Sequence, residues 1–377
     1  MRVLLFHTHA LGGVDHHLRA LACHLSRKGV EVQLLSPCPW TFPEDARVTV
    51  HPFEGRGMGL HLRLFSPSTL HQLSALVKEK HIDVVNAHGL LPAGLNAAFN
   101  RDLTRLPFRL VTTLHGSDLP STVWDGETRA ALRYGLSRSD ALTAVSSHVA
   151  TQLGQHLRLE SLPRVQVVPP FVQQGTSPER ARVAGPPVVV HVTNYRQMKR
   201  SRDALFVLKA VLGEQNVTLL MVGTGPDRLA CERLAKHLGV QDHVRFLSLP
   251  GDLGPTLRLG QVLLLPAEHE TSNLLSMQAL QWGVPIVAAQ AGSTPEVVLP
   301  QRTGTLHPVG DVQGMARGVL QVLSQWDQYH QEALAFSGSF HPDRLTSQYL
   351  QVYQHSLTGE GRQEGLKEGS PVLSLLG

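Results

Sequence analysis

The segment Asn194-Tyr195-Arg196-Gln197-Met198-Lys199-Arg200 sets three cations just past an apolar run, Val188–Val192. Fixed cations at a strand end can clamp a diphosphate and stabilise it as a leaving group; the plain alternative is a solvated basic turn. Further on, Glu268-His269-Glu270-Thr271-Ser272-Asn273-Leu274 follows a second apolar run, Val262–Leu265. A carboxylate beside a polar helix start suits sugar hydroxyls and a phosphate, while Thr271 or Ser272 could equally serve as a helix N-cap. In the first half, Gly12-Gly13 lies between a candidate strand and a helical pattern, where backbone amides are free for an anion or simply make a tight turn. His88 and the run His115-Gly116-Ser117-Asp118 each follow a buried-type strand, the edge at which open α/β sheets bind ligands. Either histidine could instead be a hydrogen-bonded strand-end residue.

The elements that must position these residues alternate between short Val-, Ile- and Leu-rich runs and amphipathic stretches. Candidate strands are Val3–His7, Val30–Leu35, Val84–Ala87, Leu110–Leu114, Ala141–Val145 and Val165–Val168, then Val188–Val192, Val217–Val222, Val244–Leu247, Val262–Leu265 and Val284–Ala288. Helical spacing covers His16–Lys28, Thr69–Lys80 and Asp203–Leu212. Such alternation predicts an α/β chain of two doubly wound, Rossmann-like halves. The expected layout is a first domain over 1–170, a linker over 171–187 rich in Gly, Pro, Gln and Ser, and a second domain over 188–357. The last helix is free to cross back to the first domain, and 358–377 reads as a mobile tail.

A length of 377 residues accommodates two cores, and no apolar run approaches the roughly 20 residues of a membrane helix. With 34 Lys and Arg against 30 Asp and Glu, the net charge of +4 suits a small anionic ligand rather than nucleic acid. Three scattered cysteines make no disulfide framework, and the N-terminus lacks the shape of a signal peptide, so a cytoplasmic setting is expected. There is no HExxH, no Cys/His spacing of a zinc site and no Asp-x-Asp, so neither a metal nor another cofactor is expected. Gly223-Thr224-Gly225-Pro226 lacks a third glycine and reads as a plain turn.

Taken in order, these segments resemble the retaining GT-B glycosyltransferases of family 4. The likeness also includes Val111–Asp118, Ser139–Ser146 and Ala291-Gly292-Ser293-Thr294-Pro295-Glu296-Val297. It is greatest to those members that transfer N-acetylglucosamine from UDP-N-acetylglucosamine to L-malate, the first step of bacillithiol biosynthesis. The resemblance implies a UDP-sugar bound between two domains, mostly by the second. Lys199 with Arg196 would clamp the donor diphosphate, and Glu270 would hold donor sugar hydroxyls. His115 corresponds to an active-site histidine near the sugar. Gly13, Asn194, Ser272, Asn273, Leu274 and Gln278 would contact the donor, and Arg245–Ser248 corresponds to backbone that reads uracil. Gly12, Val14, His88 and Ser117 fall on the acceptor side. The implied partners are the UDP-sugar and a small hydroxy acid, and a homodimer is compatible with the family.

The departures fall at telling places. Where the family carries a second glutamate for the ribose diol this chain has Gln278, and a family glycine is replaced by Asn273. Val14 stands where the malate transferases have serine, and His88-Gly89 where they have His-Tyr. Three functions therefore compete. They are sugar transfer to malate or to another acceptor, a catalytically weak sugar-nucleotide binder, and a sugar-nucleotide epimerase, for which no acid/base set is evident.

Overall fold

The computed structural model describes residues 1–8, 13–37, 39–53, 67–116, 126–157, 165–171 and 185–359. The chain divides into two compact units, Met1–Pro169 with Leu345–Gly377, and Pro170–Arg344. Most of the expected linker, the whole of the expected tail from residue 360, Gly12 and Ser117 lie outside the described residues.

The first unit runs β1 (Arg2–Phe6), α1 (Gly13–Arg27), β2 (Glu31–Ser36), β3 (Val48–Pro52), α2 (Pro67–Glu79), β4 (Val84–His88), α3 (Leu95–Thr104), β5 (Arg109–Leu114), α4 (Gly126–Ser137), β6 (Ala141–Ala144), α5 (Ser147–Leu157) and β7 (Val165–Val167). Its sheet has the order β3-β2-β1-β4-β5-β6-β7, and every pair is parallel. Its central strands are buried along their length because helices cover both faces. Leu73, Leu76 and Ala97 pack on Val85 and Leu110, while Leu132, Leu136, Val149 and Leu153 pack with Leu114 and Leu142.

The second unit runs β8 (Val188–Val192), α6 (Ser201–Val211), β9 (Thr218–Val222), α7 (Arg228–His237), β10 (Val244–Leu247), α8 (Gly254–Leu259), β11 (Val262–Leu265), α9 (Leu274–Gln281), β12 (Ile286–Ala289), β13 (Gly304–His307), α10 (Val312–Ser324) and α11 (Trp326–Ser337). The parallel order here is β10-β9-β8-β11-β12-β13. Leu205, Leu208, Met315 and Val319 fill one face of the sheet, and Leu257, Met277, Leu280 and Val284 fill the other. Two strands, β3 and β13, were not expected from the sequence; both are edge strands, short and rich in polar residues.

The final helix, α12 (Pro342–Thr358), counts with the first unit from Leu345 on. A buried polar chain anchors it there. Thr143 Oγ1 donates to Thr113 Oγ1 (2.7 Å), Thr113 Oγ1 to Asn86 Oδ1 (2.9 Å), and Asn86 Nδ2 to the Tyr353 hydroxyl (2.7 Å). Each donor finds an acceptor, so this polar row is tolerated inside an apolar core.

In both sheets the strand order reverses once, between β1 and β4 and between β8 and β11. Loops leaving the carboxyl ends of two such strands run apart and leave a crevice for ligands. His88 ends β4, the basic turn follows β8 and the Glu268–Asn273 loop follows β11, so the sequence motifs fall at these two points.

Candidate active site

In the second unit the chain leaves β8 and makes one 3-10 turn, Gln197–Lys199, before Arg200, at φ 48°, opens α6. His191 on β8 fixes this turn from below. Its Nδ1 lies 2.9 Å from the Leu264 carbonyl of β11, and its Nε2 lies 3.1 Å from Ser201 Oγ at the start of α6. A carbonyl only accepts, so Nδ1 carries the proton and Nε2 accepts from the serine. Burial lowers the His191 pKa to about 4, which keeps the ring neutral. Gly223 and Gly225, expected to form a plain turn, have a further role. A Cβ on Gly225 would lie 1.8 Å from the Asn194 carbonyl oxygen, and one on Gly223 1.8 Å from that of Thr193. Only glycine lets the backbone under the basic turn come this close.

The turn also meets the acidic loop, since the Glu268 amide donates to the Met198 carbonyl (3.0 Å). Lys199 Nζ lies 2.9 Å from Glu270 Oε2, both side chains about three-quarters buried. The two residues that the resemblance assigns to diphosphate and to sugar hydroxyls therefore hold each other in place. Arg200 is taken up by Asp203 (2.8 Å) and Glu268 (3.6 Å), which draws its charge away from the Lys199 site. Arg196 and Asn194 are exposed, and Arg196 makes no ion pair among the described residues.

The start of α9 differs from the N-cap reading of Thr271 or Ser272. The N-cap position is Asn273, at φ 53°, and its side chain makes no capping hydrogen bond. Asn273 Nδ2 instead donates to the Ser293 carbonyl (2.6 Å), while the Ser293 amide donates to the Glu270 carbonyl (2.9 Å). Asparagine is among the few residues that tolerate the left-handed region, so it can stand where the family has glycine. Gly292, at φ 56°, brings its strand-end loop against Glu270, where a Cβ would lie 1.9 Å from the carbonyl oxygen. The first-turn amides of α9, from Leu274 on, are thus left to another partner, and the positive end of the helix favours an anion. Two further atoms here, Ser276 Oγ and Asn273 Oδ1, are buried without a hydrogen-bond partner. Ser272 is half-buried, and Gln278 is half-buried one turn along from Leu274.

In the first unit, Gly13 is the exposed first residue of α1 and Val14 follows it half-buried. His88 and His115, at the ends of adjacent strands, meet with His88 Nδ1 3.0 Å from His115 Nε2. A third ring not singled out in the sequence joins them. His17 on α1 lies with its centroid 5.4 Å from His88 and 5.3 Å from His115. Its position was readable, because His17, Leu18, Leu21, Ala22 and Leu25 form the buried stripe of the helix. Tyr349 of α12 lies against the cluster, its hydroxyl 3.4 Å from His17 Nε2. Burial pushes the His17 pKa down to about 3, and burial beside the neighbouring imidazoles pushes His88 well below its ordinary value. Where the second unit holds an ion pair and uncapped amides, the first holds neutral, polarisable rings able to donate or accept hydrogen bonds from a hydroxyl.

Comparison with known proteins supplies what these two sites have in common. The Glycosyltransferase Family 4 model matches residues 11–175, and the model for glycosyl transferases group 1 matches residues 186–325. N-acetyl-alpha-D-glucosaminyl L-malate synthase of Bacillus anthracis is 25% identical over 75% of this chain and 77% of its own. A GDP-mannose-dependent alpha-(1-6)-phosphatidylinositol monomannoside mannosyltransferase of Mycolicibacterium smegmatis is 26% identical over 83% and 86%. Among solved structures, Anabaena HepE in complex with UDP and glucose is similar with a TM-score of 0.74 and 17% identity, covering 94% of this chain and 99% of that one. Two parallel-sheet α/β units in this order, with the family models accounting for most of each, make the chain a GT-B glycosyltransferase of family 4.

Proposed function

We propose that this glycosyltransferase moves N-acetylglucosamine from UDP-N-acetylglucosamine to the hydroxyl of L-malate, with retention at the anomeric carbon and without a metal. The observation that carries the reading is the Lys199–Glu270 pair beside the uncapped start of α9, which gathers cation, carboxylate and free amides as a diphosphate-linked sugar requires. Lys199 and Arg196 neutralise the departing diphosphate, and the α9 amides share its charge. Glu270 accepts hydrogen bonds from donor sugar hydroxyls, and Gln278 accepts from or donates to the ribose diol as a neutral amide. The sugar–phosphate bond breaks as the malate oxygen bonds to the same face of the anomeric carbon, and the departing phosphate oxygen takes the malate proton. On the acceptor side, His88 and His115 orient the substrate by hydrogen bonding, with Gly12, Val14 and Ser117 placed on the same side by the resemblance. A cytoplasmic enzyme fits this pairing of substrates.

A second reading keeps the transfer and changes the pair of substrates. It is favoured by Val14 and Gly89, which stand where the malate transferases carry polar or aromatic residues, and by relatives whose names include GDP-mannose as donor. Incubation with UDP-N-acetylglucosamine and other sugar nucleotides, against malate and a panel of hydroxy acids and polyols, followed by weighing of the products, separates the two. An N-acetylglucosaminyl malate mass supports the first reading. Transfer only to another acceptor, or from another donor, overturns it.

A further inference from the structure

We propose that His17, His88 and His115 form a binding site for one divalent transition-metal ion such as zinc or cobalt, and that a metal held there inhibits sugar transfer. The inhibition rests on the acceptor-side reading of His88 and His115 given above; the metal site does not. Three different elements supply the ligands, namely α1, the end of β4 and the residue following β5. One ring nitrogen from each lies within 4.8 Å of the other two, and all three side chains are buried, at 1%, 1% and 6% exposure. A tetrahedral ion bound at about 2.0–2.1 Å sets its ligand nitrogens roughly 3.3–3.4 Å apart. One nitrogen of each ring already lies within 4.8 Å of the others, and modest rotations of the rings about their side-chain bonds would bring them to that spacing.

The chemistry of the cluster agrees with its geometry. The His88–His115 hydrogen bond leaves His88 Nε2 buried without a partner whichever ring donates. An orphaned polar atom in an interior calls for an occupant that satisfies it. Three imidazoles without a carboxylate select zinc, cobalt, nickel or copper over magnesium and calcium, and leave a fourth coordination position for water or a substrate hydroxyl. A metal in this place would fix the two rings that the acceptor otherwise meets, so occupancy and transfer compete.

Cobalt(II) titration of the full chain, stripped with chelator, tests the site without reference to activity. One equivalent should give the intense visible absorption of four-coordinate cobalt, displaced by zinc and unaffected by excess magnesium. His17→Phe keeps an aromatic ring in the buried position and removes the ligand, and it should weaken cobalt binding at least tenfold. If that variant does not fold, His17→Gln serves in its place, and the wild-type spectrum needs no variant. Absence of a saturable four-coordinate spectrum, or equal affinity in wild type and variant, overturns the site. In the activity arm, zinc should inhibit wild-type transfer over the range that fills the site, and His17→Phe should be at least tenfold less sensitive. Occupancy without inhibition overturns the regulatory half alone. Cobalt binding by a protein that transfers from no sugar nucleotide overturns the transfer reading and leaves the metal site standing.

Discussion

The two units place their polar groups at the same point of the same topology and fill it with opposite electrostatics. At the β8/β11 switch point stand a lysine, an exposed arginine, a paired carboxylate and the bare amides of α9. At the β1/β4 switch point stand imidazoles that burial keeps uncharged. The fold therefore sets where a ligand sits, and the residues on the loops set what kind of ligand it is. Formal charge belongs to the half assigned a diphosphate, and neutral hydrogen-bonding groups belong to the half assigned a hydroxyl.

The largest effect should come from Gly292→Ala, which forces a Cβ into the Glu270 carbonyl and costs roughly 3 kcal/mol or more. A thermal melt unchanged from wild type would contradict the fixed position given to the Glu270 loop. Lys199→Ala should reduce kcat/KM for transfer by about 10²–10³, the scale of a lost group that stabilises developing charge. Steady-state kinetics with saturating acceptor checks this, and a loss below fivefold would move the clamp elsewhere.

Acid should separate the two halves. The folded pKa of His17 is depressed to about 3 from 6.5, so the neutral ring's contribution is complete above pH 6.5 and is lost as pH falls from there towards 3. That is about 2 kcal/mol at pH 5 for this ring alone, and His88 adds to it in the same direction. In the sheet of the second unit burial lowers His191 to about 4 and also pushes down His307 on the edge strand β13. Hydrogen exchange at pH 5 against pH 7.5 should show β4 and β5 losing more protection than β8 and β11; equal loss would remove this contrast. The smallest effect is expected at Asn273. Changing it to Ala should cost about 1 kcal/mol for the left-handed backbone, and changing it to Gly should cost less even though both lose the bond to Ser293. Paired melting curves decide it, and a glycine variant less stable than the alanine one would contradict the backbone argument.

Alternation of apolar runs and amphipathic helices was enough to read the α/β class and the central strands, because strands covered on both faces are written as continuous Val, Ile and Leu. Val-Thr-Val-His-Pro of β3 and Gly-Thr-Leu-His of β13 carry no such signature, since an edge strand is partly solvated and its residues need not be apolar. At the site, the cations and carboxylates could be named in advance, whereas their pairing could not. Lys199 and Glu270 lie on loops from different strands, and only the switch-point topology brings them to 2.9 Å. The left-handed Asn273 was hidden for a related reason, because its backbone is set by the Ser293 carbonyl from a distant loop. His17 was legible as a buried helix position, but not as the neighbour of two strand-end histidines.

The central claim is that Lys199 and Glu270 are held together to meet a sugar diphosphate rather than to brace the fold. Exchanging their charges, as Lys199→Glu with Glu270→Lys, tests it most directly when thermal stability and transfer from UDP-N-acetylglucosamine are measured on the same samples. The exchanged pair should recover most of the stability lost in either single variant while transfer stays at least 10²-fold down, because the cation and the carboxylate then face the wrong parts of the donor. Recovery of transfer along with stability would show the pair to be a brace and would contradict the account.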